Sequence, residues 1–308
     1  MLRAFFVRLS ENRTLRNFAE RSAIGQRVSG RFVAGTQIAD AVRVTQAVNR
    51  AGMSVSIDNL GENVTNPDEA RHSAQLYQQI LDAIAANQLN ANISLKLTHM
   101  GLDVDEGLAR DIVSGLVARA AAMNPPGFVR VDMEGSPYTE RTLDFVHELH
   151  RRPGHANSVG TVIQAYLKRS ESDIEKLLAE GIRIRLCKGA YKEPASIAFE
   201  SKADVDANFI KLMKILMKSG IYHGIASHDE NIIREAQAFA TSEKIARESF
   251  EFQMLHGIRR DLQQRLVRDG WRMRVYVPFG TEWYPYFMRR LGERPANVFF
   301  IARNMLRK

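Results

Sequence analysis

The stretch Ile182-Arg183-Ile184-Arg185-Leu186-Cys187 alternates aliphatic and basic side chains with a period of two. Successive side chains of a strand point to opposite faces, so it reads as a strand with one apolar and one cationic face. The same alternation recurs outward in both directions. One face collects Val55/Ile57, Ile93/Leu95/Leu97, Val129/Val131, Ile163, Ile184/Leu186, Phe250/Phe252/Met254 and Met273/Val275/Val277. The other collects Ser56/Asp58, Ser94/Lys96, Arg130/Asp132, Gln164, Arg183/Arg185, Glu251/Gln253 and Arg274/Tyr276. The apolar face suits a layer of helices, and the polar face suits the interior of a closed sheet.

The segments predicted as strands are Ser54 to Asp58, Ile93 to Leu97, Val129 to Met133, Thr161 to Ala165, Ile182 to Cys187, His223 to Ser227, Phe250 to Met254 and Met273 to Val277. The gaps carry helical periodicity, as in Ala70 to Ala85, Glu106 to Ala122 and Ser172 to Ala179. Strand and helix in regular alternation imply a parallel sheet. Eight such units after a helical lead, residues 1–50, predict an α/β fold of the (β/α)8 TIM-like barrel type over residues 51–308, a single domain of about the usual size. A doubly wound open sheet is the competitor, but no G-x-G-x-x-G fingerprint follows the first strand.

Ionisable groups turned into a barrel are costly unless they are paired or meet a ligand. Arg130 or Arg183 with Glu251 is the expected structural pairing. Active sites of such barrels lie at the C-terminal strand ends, which selects Lys96, Asp132, Gln164, Arg185, Ser227, Gln253 and Tyr276. Beyond the last strand, Arg289-Arg290 offers two planar donor forks that suit one small carboxylate. A solvated basic helix face is the alternative for that pair, a barrel-rim aromatic for Tyr276, and a buried ion pair without chemistry for Asp132 and Arg185. Lys96 alone has two rivals, a Schiff-base lysine or a structural partner of Asp132.

The 308-residue chain has a formal net charge of +8, with Arg3, Arg8, Arg13, Arg16, Arg21, Arg27 and Arg31 crowding its start. Such a surface is attracted to anionic lipid, a solvated helix face being the alternative. The single cysteine, Cys187, excludes an internal disulfide and any multi-cysteine metal site and fits a reducing cytoplasm. No metal is expected: in His147-Glu148-Leu149-His150 the histidines are three apart where the metalloprotease pattern needs four.

Taken in order, Ser94-Leu95-Lys96-Leu97-Thr98, Val131-Asp132-Met133-Glu134, Val162-Ile163-Gln164-Ala165-Tyr166, Arg185-Leu186-Cys187-Lys188-Gly189-Ala190-Tyr191, Ser227-His228-Asp229, Phe252-Gln253-Met254-Leu255-His256-Gly257 and the Tyr276 to Arg290 segment resemble the flavin-dependent proline dehydrogenases, in their short monofunctional bacterial form. The resemblance runs from about residue 50 to 305. It implies a distorted barrel with FAD at its C-terminal face and a C-terminal helix over the site. The implied reaction oxidises L-proline to Δ1-pyrroline-5-carboxylate by hydride transfer from C5 to flavin N5.

By this resemblance Lys96, Arg289 and Arg290 bind the proline carboxylate and Tyr276 covers the substrate ring. Asp132 and Arg185 belong to the catalytic centre, Arg185 near flavin N5. Met133, Gln164, Lys188, Gly189, Ala190, Ser227, His228 and Gln253 hold the cofactor, and Glu62 gates the site by pairing with Arg289. Ser227 replaces a common Thr, Asp229 an occasional Asn, and Lys192 follows Tyr191 where other branches place an aromatic. The implied partners are a quinone acceptor, the anionic inner-membrane surface as a peripheral contact of a cytoplasmic protein, and a downstream pyrroline-5-carboxylate dehydrogenase. Nucleic acid is not expected. The rival readings are a folate-type flavin barrel reductase and a non-catalytic basic barrel that binds lipid or nucleic acid.

Overall fold

The computed structural model describes residues 30–293, apart from the side chains of residues 289–293. Eight strands form a closed parallel barrel in sequence order, and the last strand pairs with the first. The strands are β1 (Ser54–Asn59), β2 (Ala91–Leu95), β3 (Val129–Val131), β4 (Val159–Gln164), β5 (Arg183–Cys187), β6 (His223–Ala226), β7 (Phe250–Leu255) and β8 (Met273–Phe279). All eight predicted strands are present, with ends moved by up to two residues. The helices are α1 (Ile38–Arg50), α2 (Pro67–Ala86), α3 (Glu106–Ala121), α4 (Ser136–Arg151), α5 (Ser170–Ala179), α6 (Lys202–Lys218), α7 (Glu230–Ser242), α8 (Arg260–Arg268) and α9 (Trp283–Glu293).

The alternation assigns the two faces as expected. Val55, Ile93, Leu95, Val129, Val131, Ile184, Leu186 and Phe252 are all fully buried and join one apolar layer with Tyr77, Val113, Phe145 and Phe209 from the helices. Burial of such side chains stabilises by about 1.5–3 kcal/mol each, so this layer dominates the energetics of the fold. The helices begin where the sequence supplies caps. Asn66 accepts from the backbone N–H of Glu69 with Pro67 in the first helical position, and Asp105, Ser201 and Asp229 cap α3, α6 and α7 in the same way.

Residues 32–35 and α9 pack at the C-terminal ends of β1, β7 and β8. Ala34 N–H donates to Pro278 O, and Gly280 N–H donates to Gly35 O, each over 2.9 Å. A second apolar cluster then joins Phe32 and Val33 to Leu60, Ile258, Trp283, Tyr284 and Phe287. This seats α9 beside the β1 and β7 loops and over the rim. Helix α1 instead packs along β1 and β8. The arginines from Arg3 to Arg27 lie outside the described residues, and Arg31 donates to Gly257 O and stacks on Phe32.

Candidate active site

The polar face of the barrel forms one hydrogen-bonded network with Arg185 at its centre. Its Nη1 donates to Asp132 Oδ1 over 2.7 Å and to Ser94 Oγ over 3.2 Å. Its Nε donates to Gln253 Oε1 over 2.6 Å, and its Nη2 to Ser56 Oγ over 3.2 Å. Tyr276 donates its hydroxyl to Asp132 Oδ2 over 3.0 Å, and its ring lies 5.2 Å from the Arg185 guanidinium carbon. Burial, followed by the charges of Asp132 and Asp58, holds the Tyr276 hydroxyl well above its ordinary pKa, so it remains a donor.

Below this layer Gln253 donates to Glu251, whose partner is Arg274 at 2.5 Å rather than Arg130 or Arg183. Arg130 is spent on the carbonyls of Thr161 and Arg183. Arg183 lies against the rings of Phe128 and Tyr222. The expected structural ion pair therefore exists with a different arginine.

Lys96 leaves the β2 ladder and places Nζ 3.7 Å from Asp58 Oδ2 and 3.8 Å from Glu62 Oε1. Burial alone would lower its pKa, but Asp58, Glu62 and Asp132 outweigh that and hold it above the ordinary lysine value. A Schiff-base lysine needs the opposite shift, so the carboxylates around Lys96 favour its charged form and a carboxylate-binding role. Its partners are Asp58 and Glu62 instead of Asp132. Asp58 is itself raised by burial, against the lowering effect of Lys96, and accepts from Tyr77 over 3.2 Å.

Across the rim, Gln164 Nε2 donates to Glu134 O over 3.0 Å while its Oε1 accepts from Ala190 N–H over 3.3 Å. Gly189 has φ +118°, and a Cβ there would sit 2.2 Å from the Tyr166 ring. Lys188 lies between Asp206 at 2.5 Å and Asp229 at 2.8 Å. Ser227 accepts from Asp229 N–H, and His228 Nε2 accepts from Leu255 N–H over 2.9 Å. Met133 is buried at the edge of the apolar layer.

Comparison with known proteins decides the family. The proline dehydrogenase family description matches residues 41–303. Proline dehydrogenase 1 of Bacillus subtilis strain 168 is 42% identical over the whole of both chains. Proline dehydrogenase of Deinococcus radiodurans is 40% identical over 90% of this chain and 89% of its own. The chain belongs to the proline dehydrogenase family. Among solved structures, proline utilization A from Bdellovibrio bacteriovorus superposes with a TM-score of 0.80 at 25% identity. That match covers 86% of this chain and 32% of the longer one.

Lys96 and Asp132 lie just past the C-terminal ends of β2 and β3, as the sequence predicts, whereas Arg185 and Tyr276 stand in the middle of β5 and β8. Arg289 and Arg290 lie on α9, but their side chains, and with them the Glu62–Arg289 pairing, lie outside the description. Asp58, Ser56, Ser94 and Tyr77 belong to the network and were missed as site residues. Asp58 stood on the polar face of the first strand, whereas Tyr77 carried no signal because its helical spacing reads as core. Burial pushes the Cys187 thiol up to about 12, which suits a packing role. His147 and His150 are half-buried, and both contact Glu180. Among the described residues no three His, Cys, Asp or Glu side chains are grouped to hold a metal.

Proposed function

We propose that the chain catalyses the FAD-dependent oxidation of L-proline to Δ1-pyrroline-5-carboxylate, with residues 51–308 as the FAD-binding catalytic unit. The observation that carries this reading is the buried Arg185–Asp132–Tyr276 arrangement beside a lysine held charged by Asp58 and Glu62.

The donor set fits a flavin dinucleotide. Exposed backbone at Gly189 and Ala190 suits a diphosphate, and Lys188, paired with Asp206 and Asp229, would have to exchange one of these carboxylates to join it. Arg185 is a fixed cation that suits the electron-rich edge of a ring system, with Gln164, Gln253 and Met133 around it and Ser227 and His228 farther along the rim. Bound FAD would supply the acceptor, at N5, for the hydride that leaves proline C5.

The chain's own residues then divide the remaining work. Lys96, joined by Arg289 and Arg290, binds the substrate carboxylate through charge-assisted hydrogen bonds. Tyr276 presents its ring over the bound substrate while its hydroxyl is committed to Asp132. Asp132 has both oxygens engaged and orients Arg185 and Tyr276; the role of amine-proton acceptor is not assigned to it. Arg185, already desolvated and fixed, stabilises negative charge without reorganising during the reaction. Glu62 at 3.8 Å from Lys96 keeps the cation aligned and, with Arg289, forms the proposed gate.

A quinone is the proposed final electron acceptor, and a pyrroline-5-carboxylate dehydrogenase consumes the product. Among the described residues no helix is long and apolar enough to cross a membrane, so contact with the inner-membrane surface from the cytoplasm is proposed through net positive charge. The test is the visible absorption spectrum of the purified protein before and after anaerobic addition of L-proline. An oxidised flavin band that bleaches supports the reading; a band indifferent to proline, or no band after FAD is supplied, overturns it.

A further inference from the structure

Glu134 stands just past β3, buried, and takes no part in the roles described above. Its carboxylate grips Thr98 with both oxygens, Oε1 accepting the backbone N–H over 3.1 Å and Oε2 the hydroxyl over 2.6 Å. A buried carboxylate is costly unless its lone pairs are met, so this is a fixed attachment. Thr98 opens the short turn Thr98–Met100, two residues beyond Lys96.

That turn also carries the loop that bears Glu62. Asn63 N–H donates to Thr98 Oγ1 over 3.4 Å, and Val64 N–H donates to Thr98 O over 3.3 Å. Asn63 has φ +53°, a left-handed conformation that asparagine accepts more readily than other residues with a side chain and that turns the loop towards Thr98. On the other side, Gly61 lies so close to His99 that a Cβ would sit 2.3 Å from the ring Nε2. Glu62 is thus flanked by two residues pinned to one turn. In the opposite direction the backbone oxygen of Glu134 accepts from Gln164, whose own oxygen accepts from Ala190 N–H.

We propose that Glu134 is a positioning residue. By clasping Thr98 it holds Lys96 and Glu62 in register, and through Gln164 it ties that pair to the loop Lys188–Ala190. The inference rests on the reading of Lys96 as the cation that binds the substrate carboxylate. A carboxylate accepts from both Thr98 donors, whereas a carboxamide that keeps the backbone contact turns its NH2 on the hydroxyl, so the charge-assisted hydroxyl bond is lost.

The test compares Glu134→Gln, Thr98→Val and Thr98→Ser with the wild-type enzyme, reading kcat, KM for L-proline, flavin content and anaerobic bleaching. Glu134→Gln and Thr98→Val should each raise KM about tenfold with kcat within about threefold, the size expected for one hydrogen bond. The double variant should be no worse than Glu134→Gln alone, because the hydroxyl contact that Thr98→Val removes is one of the two that Glu134 makes. Thr98→Ser keeps the hydroxyl and should restore wild-type KM. An unchanged KM in folded Thr98→Val overturns the clasp, as does loss of flavin and kcat at constant KM. Failure of the wild-type enzyme to bleach with proline would instead sink the underlying reading. If Glu134→Gln does not fold, the Thr98→Val and Thr98→Ser pair decides alone.

Discussion

Arg185 and Tyr276 donate to opposite oxygens of the Asp132 carboxylate, at 2.7 Å and 3.0 Å, and the Arg185 guanidinium also lies over the Tyr276 ring. The three side chains come from β5, β8 and the end of β3, so the barrel brings together what the sequence separates widely. Each fixes the other two.

Asp132→Asn keeps the shape but leaves one acceptor oxygen for the three donors Arg185, Tyr276 and Ser94, and it removes the charge opposite a buried guanidinium. Losing a charge-assisted bond in such a site costs about 1.5–3 kcal/mol. Steady-state kinetics with L-proline should therefore show kcat/KM reduced by roughly 10- to 100-fold. A folded Asp132→Asn enzyme with wild-type kcat/KM would show that Arg185 does not need its carboxylate.

Lys96 faces Asp58 and Glu62, with Asp132 as a further negative influence. Replacing it by methionine removes the cation and leaves these carboxylates where a substrate carboxylate is proposed to bind. KM for proline should rise by about 100-fold, combining a lost charge-assisted bond with new repulsion. Borohydride treatment in the presence of product should leave Lys96 unmodified in the wild-type enzyme, because a charged lysine does not form an imine. A trapped adduct at Lys96 would reopen the Schiff-base alternative.

His223 gives the fold a defined acid sensitivity. Its Nδ1 accepts from Ile184 N–H over 3.0 Å, so the ring must be neutral, with its proton on Nε2 facing Ser219 Oγ. Burial, then the neighbouring Arg130, lowers its pKa to about 3, and burial similarly lowers His99 and His256 to about 4. An unfolded histidine titrates near 6.5, so the unfolded state binds more protons below that pH. This contribution to stability is complete above about pH 6.5 and is lost as pH falls towards 3 to 4, at up to about 1.4 kcal/mol per pH unit for each histidine. Urea midpoints measured from pH 7.5 to 4.5 should fall, and His223→Gln should be less stable at pH 7 with a shallower fall. Equal slopes for the two proteins would remove His223 from the acid response.

The barrel was legible because alternation on strands such as β5 leaves a one-residue shift no alternative: Ile184 and Leu186 must go out if Arg183 and Arg185 go in. Strand ends were less legible. Leu97 looks like a strand residue by hydropathy, yet its backbone is helical and begins the Thr98–Met100 turn, so Lys96 lies past the ladder. Partners were legible only where charge was obvious. Glu251 was marked as needing an arginine, but Arg130, Arg183 and Arg274 are equivalent in sequence, and only β7 lying beside β8 selects Arg274. Tyr77 reaches Asp58 and Ser94 O from a helix, a contact that no local pattern encodes.

Gly189 separates backbone requirement from cofactor chemistry. It lies two residues past β5 at φ +118°, and a Cβ would meet the Tyr166 ring at 2.2 Å. Gly189→Ala therefore combines an unfavourable backbone region with a collision against a ring that cannot simply rotate away. Relief by local movement would displace the Lys188–Ala190 loop and the Ala190 N–H contact to Gln164, at a strain cost of about 1–3 kcal/mol. The loop lies at the exposed rim, so the apolar layer should be little affected and the thermal midpoint should shift by only a few degrees. If the loop holds the diphosphate of FAD, flavin released on gel filtration should increase sharply in Gly189→Ala. KM for proline, measured with FAD in excess, should change little. Full flavin retention in this variant would move the diphosphate away from the loop, whereas a collapse of the thermal midpoint would make Gly189 a requirement of the fold.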